Sequence, residues 1–131
     1  MLKNGILNPA LLELLARFRH TNTIVLADRG FPSWPQVPTV DLSLTANIPT
    51  VEQVLAAILE QCTVGPAFMA REFKARNSTA VVGAAAEQLR AHGIKLLYEK
   101  HAIFKNRVPA CIGLIRTGDM TPYRNIILES A

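Results

Sequence analysis

The strongest constraint on this chain is that helix-forming and strand-forming runs abut with almost nothing between them. NPALLELLARF, residues 8–18, offers Asn8 as an N-cap and Pro9 at the first helical position, and Leu11, Leu12, Leu15 and Phe18 predict one apolar face. TIVLAD, residues 23–28, follows at once; it is apolar, rich in branched residues and without helical spacing, so it predicts a buried strand. Three prolines and a glycine make RGFPSWPQVP a loop, and Asp41 falls in a brief extended piece beyond it. TVEQVLAAILEQC predicts a second helix, with Thr50 and Gln53 spaced as a capping box and a stripe through Val54, Leu55, Ile58 and Leu59. PAFMARE predicts a strand, and STAVVGAAAEQLRAHG a helix closed by Gly93 in spite of Gly83 within it. Strand IKLLYE, short helix HAIFKNR and strands ACIGLIRTG and NIILE complete the chain. Strands that alternate with helices predict an α/β fold: three layers, with a mostly parallel central sheet covered on both faces.

The 131 residues suffice for one domain, 1–131, with a substantial apolar core. Hydrophobic residues make up 50% and charged residues 18%, which excludes disorder and suggests that other subunits cover part of the surface. The net charge of +4 comes from scattered Lys and Arg with no interleaved aromatics, so no nucleic-acid partner is expected. Cys62 and Cys111 form no CxxC pair and sit in apolar segments, as buried thiols do. No run approaches the ~20 apolar residues of a membrane span. Asn4 and Asn8 interrupt the start where a signal peptide would be apolar, so a cytoplasmic protein is expected. Gly113 and Gly118 lack the spacing of a phosphate-cradling loop, and no metal-ligand spacing occurs, so neither a nucleotide cofactor nor a metal is expected.

Groups able to move protons or grip hydroxyls lie at the ends of the predicted elements. His20 closes the first helix, where a cation is favoured and an imidazole can give up and recover a proton; capping the free carbonyls is its structural alternative. Asp28 ends the first strand, on the sheet edge that bounds ligand crevices in open α/β folds, within expected reach of His20 to orient its ring. A turn-forming role before RGFP suits the same aspartate. His101 follows IKLLYE on the same edge, and Tyr123 and Asn125 precede the last strand with groups that both donate and accept. On residue chemistry alone, these form a cofactor-free acid–base or polar-ligand site.

NGILNPALLELLARFRHTNTIVLADRGFP, VDLSLTANIPT, EFKARN, KHAIFK and LIRTGDMTPYRNIIL run from end to end of the chain, and in that order they resemble the D-ribose pyranase family. The related fucose mutarotases are similar in layout, but VDLSLTANIP and RTGDMTPYRNIIL are closer to the ribose branch. The resemblance implies a cofactor-independent isomerase of carbohydrate metabolism that interconverts pyranose and furanose forms of a free aldose, D-ribose first. It implies His20 and Asp28 as catalytic residues, with Asp28, His101, Tyr123, Arg124 and Asn125 binding the monosaccharide. It further implies a homo-oligomeric ring, a pentamer or decamer, whose pockets are completed between adjacent subunits. Arg19, Arg29 and Arg124 depart from the family pattern, which opens the alternative of an anionic sugar, and Arg29 beside Asp28 opens that of a non-catalytic sugar-binding or regulatory protein; a mutarotase for fucose or another sugar is the nearest enzymatic alternative.

Overall fold

A computed structural model describes all of residues 1–131. Six strands form one sheet, β1 (Thr23–Ala27), β2 (Thr39–Asp41), β3 (Val64–Ala70), β4 (Leu96–Glu99), β5 (Gly113–Arg116) and β6 (Ile126–Ser130), in the spatial order β2-β5-β1-β6-β3-β4. Five helices accompany them: α1 (Pro9–Ala16), α2 (Val51–Leu59), α3 (Arg71–Arg76), α4 (Thr79–Arg90) and α5 (His101–Arg107).

The pleat of β1 explains the three layers. Successive side chains of a strand point to opposite faces. Ile24 and Leu26 accordingly join a large core with Leu14 of α1, Leu55 and Ile58 of α2, Phe73 of α3 and Leu89 of α4. Val25 and Ala27 join a smaller core on the other face with Phe31, Phe104 of α5 and Val108. Covering both faces leaves no polar side for the strand, hence the unbroken apolar run. Gly113 lets α1 lie directly on β5, since a Cβ there would meet Leu14 Cδ1 at 2.5 Å.

The predicted caps are present. Asn8 Oδ1 accepts from Leu11 N–H at 2.9 Å with Pro9 at the first position of α1, and Thr50 and Gln53 form the reciprocal capping box of α2. Gly93, at φ +70°, turns the chain out of α4 while Ile94 N–H donates back to Leu89. Cys62 and Cys111 are free thiols.

Four details differ from expectation. The buried residues of α1 are Leu11 and Leu14, in line with the buried Phe18 just beyond it at i, i+3, i+7 spacing, and Leu12 and Leu15 flank that line half-buried. PAFMARE is strand only to Ala70; Arg71 starts α3, a helix too short to show a repeating stripe. ACIGLIRTG is extended only from Gly113, because Pro109 initiates a 3-10 turn over Val108–Ala110. The pairs β1–β5, β2–β5 and β3–β4 are parallel, but β6 runs antiparallel between β1 and β3. That reversal brings the amino end of β6 to the edge where β1, β3, β4 and β5 have their carboxyl ends.

Candidate active site

At this edge a cavity of about 470 Å³ is bounded by the residues leaving β1, β4 and β5 and those entering β6. Its base is a reciprocal clamp. Asp28 N–H donates to Asn125 Oδ1 at 2.8 Å, and Asn125 Nδ2 donates back to Asp28 Oδ2 at 3.0 Å. Gly30 N–H donates to the other carboxylate oxygen, Oδ1, at 2.9 Å. Both Asp28 and Asn125 are buried, so these bonds form where water competes little. Burial pushes the Asp28 carboxyl above its ordinary range and the Asp119 charge adds to the rise, while the bonds from Gly30, Asn125 and Phe31 pull it back. The result is a carboxylate in fixed orientation that gains from any further hydroxyl donor.

His101 begins α5, and its backbone N–H donates to Glu72 Oε2 of α3 at 2.9 Å. The imidazole packs edge-on against Tyr123, with centroids 5.1 Å apart, and parallel to Phe104 at 6.1 Å. Burial moves its pKa down and Lys105 reinforces this, against opposing pulls from Glu72 and Asp28. The ring is therefore neutral at pH 7, able to donate through one nitrogen and accept through the other. Its Nδ1 is buried without a partner in the chain.

Tyr123 adopts φ +58°, a left-handed conformation rarely held by a bulky residue. The loop is tied down on both sides: Asn77 Nδ2 donates to the Pro122 and Phe73 carbonyls, and Asn125 N–H donates to the Tyr123 carbonyl at 2.8 Å. Backbone strain so enforced is characteristic of sites where a side chain must be aimed.

Asp119 completes the wall. Its Oδ2 accepts from Val51 N–H at the start of α2, and its Oδ1 from Thr121 N–H, at 2.9 and 2.8 Å. Thr117 Oγ1 donates to the Ala27 carbonyl and accepts from Asp119 N–H, joining the ends of β1 and β5.

Asp28, His101, Tyr123 and Asn125 thus meet at one cavity. His20 and Arg124 do not. His20 lies past the Arg17 cap of α1, exposed, at the amino end of β1 beside the end of β6, where Thr21 and Asn22 bond to Ser130. The five residues of β1 separate it from Asp28, roughly 17 Å at ~3.3 Å per residue. Asp28 therefore does not orient His20 within one chain, and His20 does not cap α1. Arg124 is buried with its guanidinium over the Phe73 ring, 5.6 Å from the centroid, and faces a different cavity. Arg29 lines the rim of the first cavity without pairing with Asp28. Glu72, Asp119 and Thr121 escaped the sequence reading. Asp119 and Thr121 stand inside the stretch that carried Tyr123 and Asn125, so proximity to those two was the available signal.

The fold and this edge define a class of three-layer α/β proteins with a polar pocket where the strands end. Residues 1–131 match the RbsD / FucU transport protein family, and the chain belongs to it. It is 38% identical over 130 residues to the D-ribose pyranase of Geobacillus thermodenitrificans, covering 99% of this chain and 96% of the relative. It is 34% identical to that of Pasteurella multocida, covering 99% and 97%. The structure of Bacillus subtilis RbsD complexed with D-ribose superimposes with a TM-score of 0.88 at 35% identity, covering 100% of this chain and 98% of that one. The fucose mutarotase of Streptococcus pneumoniae, solved with L-fucose, shares the fold with a TM-score of 0.76 at 23% identity, covering 95% and 92%. No helix is long and apolar enough to cross a membrane.

Proposed function

We propose that the whole chain acts as one ribose pyranase-like domain, an isomerase that interconverts the pyranose and furanose forms of free D-ribose. The observation that carries this reading is the buried Asp28–Asn125 clamp opening onto the same cavity as neutral His101 and Tyr123, in a chain 38% identical to a D-ribose pyranase. Ring opening removes the proton of the anomeric hydroxyl, breaks the bond from the anomeric carbon to the ring oxygen, and protonates that oxygen. The C4 hydroxyl then adds to the aldehyde carbon and loses its proton while the aldehyde oxygen takes one up to become the new anomeric hydroxyl, so no proton is gained or lost overall and no cofactor enters the balance. Asp28 accepts from a sugar hydroxyl, and His101, Tyr123 and Asn125 position the remaining hydroxyls. A general acid–base group contributes typically about 10²–10⁴-fold, enough for a reaction that already runs slowly in water.

His20 is assigned the proton transfer, delivered to the cavity of a neighbouring copy in a homo-oligomeric ring, a pentamer or decamer, in the cytoplasm. Its exposure at the far end of β1 supports delivery in trans, and the exposed Leu7, Leu44, Ile48 and Ile103 supply apolar surface for assembly. NMR saturation transfer between the pyranose and furanose signals of ribose tests the reading. Enhanced exchange with the wild type that is lost in His20→Ala is expected. No enhancement with ribose would overturn it, and enhancement only with fucose would replace it by the mutarotase reading.

A further inference from the structure

Arg124 is 5% exposed, and its Nε and Nη2 are buried without any hydrogen-bond acceptor. None of the chain's ion pairs includes it, so no carboxylate lies within 4.0 Å of its guanidinium. An arginine retains its charge under all ordinary conditions, and a buried charge without a counter-charge is costly. The face of Phe73 at 5.6 Å offsets only part of that cost. What remains open of the side chain borders a cavity of about 360 Å³ between the starts of α2 and α4, behind the sugar pocket.

The acidic groups at this cavity form no ion pair with Arg124. Asp119 has both carboxylate oxygens committed to backbone N–H groups, of Val51 and Thr121. Glu52 is exposed at the rim. Thr50, Thr121 and Asn47 add uncharged polar groups. Asp119 and Thr121 also line the first cavity, so the two share a wall.

We propose that this second cavity is a binding site for a small oxyanion of the phosphate class, with Arg124 as its counter-charge. Guanidinium groups match tetrahedral oxyanions in geometry as well as charge. The anion arrives either as free phosphate or as the phosphate of a phosphorylated pentose whose sugar lies in the adjoining pocket.

The test is calorimetric titration of inorganic phosphate into the full-length protein with no sugar present, so that its failure leaves the ribose reading untouched. Saturable binding is expected, weakened at least tenfold in Arg124→Ala and in the volume-conserving Arg124→Met, and tightened in Glu52→Gln, which removes the competing charge. Phosphate should also raise the melting temperature of the wild type and not that of whichever arginine variant folds. Repeating the titration with saturating ribose identifies the source: retained binding assigns free phosphate. Arg124-dependent binding of ribose 5-phosphate that ribose displaces assigns the phosphosugar. No saturable phosphate binding, or equal binding by wild type and both arginine variants, would overturn the site.

Discussion

Asn125→Asp probes the joint on which the pocket rests. The substitution keeps Oδ1, which still accepts from Asp28 N–H, and replaces the Nδ2 that donates to Asp28 Oδ2 at 3.0 Å. Two carboxylate oxygens then face one another at that separation. Two full charges this close repel by about 5–6 kcal/mol at an effective dielectric near 20. The folded protein escapes by holding one proton between them, which costs ~1.36 kcal/mol per pH unit above the ordinary carboxylate value near 3.9, or about 4 kcal/mol at pH 7. The expected loss of stability at pH 7 is therefore about 2–4 kcal/mol, allowing for the strength of the shared-proton bond. The sign follows from proton counting. The folded variant binds one more proton than its unfolded chain, so its stability falls as pH rises, by at most ~1.36 kcal/mol per unit. Urea midpoints of wild type and variant, measured from pH 5 to pH 8 at one protein concentration, should be close at pH 5 and diverge steadily above it. A gap of the same size at both ends of the range would refute the clamp.

Three further outcomes are expected. His101 should titrate below 6.5 in an NMR pH series, and Glu72→Gln should lower it further, because the Glu72 charge opposes the effect of burial; an unchanged or higher value would contradict the contact. Since the unfolded chain then takes up that proton first, His101 contributes stability above about pH 6.5 that is lost as pH falls towards its folded value, and the loss should be absent from the denaturation profile of His101→Gln. Gly118→Ala would set a Cβ on the Thr45 carbonyl and 2.7 Å from that of Ile48, with only backbone to give way, so chemical denaturation should show a loss of about 1–3 kcal/mol.

Much of this fold was legible because local chemistry and tertiary placement agree. The Asn8 and Thr50 caps, the Gly93 stop and the unbroken TIVLAD run each have one comfortable structure, and the sheet uses it. Strand direction was not legible. NIILE reads the same in either sense, and only pairing with β1 and β3 shows that Asn125 enters the edge that Asp28 leaves. Helix α3 left no periodic trace in six residues, which concealed the Glu72 contact that anchors His101. His20 looked close to Asp28 because eight positions are few in sequence, but an extended strand turns them into distance. The burial of Arg124 was likewise invisible, since alternation in a turn says nothing about which side of the wall a residue takes.

Whether each ribose-isomerising pocket takes Asp28 from one copy and His20 from another, as proposed, is decided by mixing. His20→Ala and Asp28→Ala proteins are each expected to be inactive in ribose saturation transfer. After joint unfolding and reassembly in equal amounts, about a quarter of the sites should pair an intact His20 with an intact Asp28 and recover exchange. Assembled mixtures that stay at the rate of free ribose in buffer would contradict it.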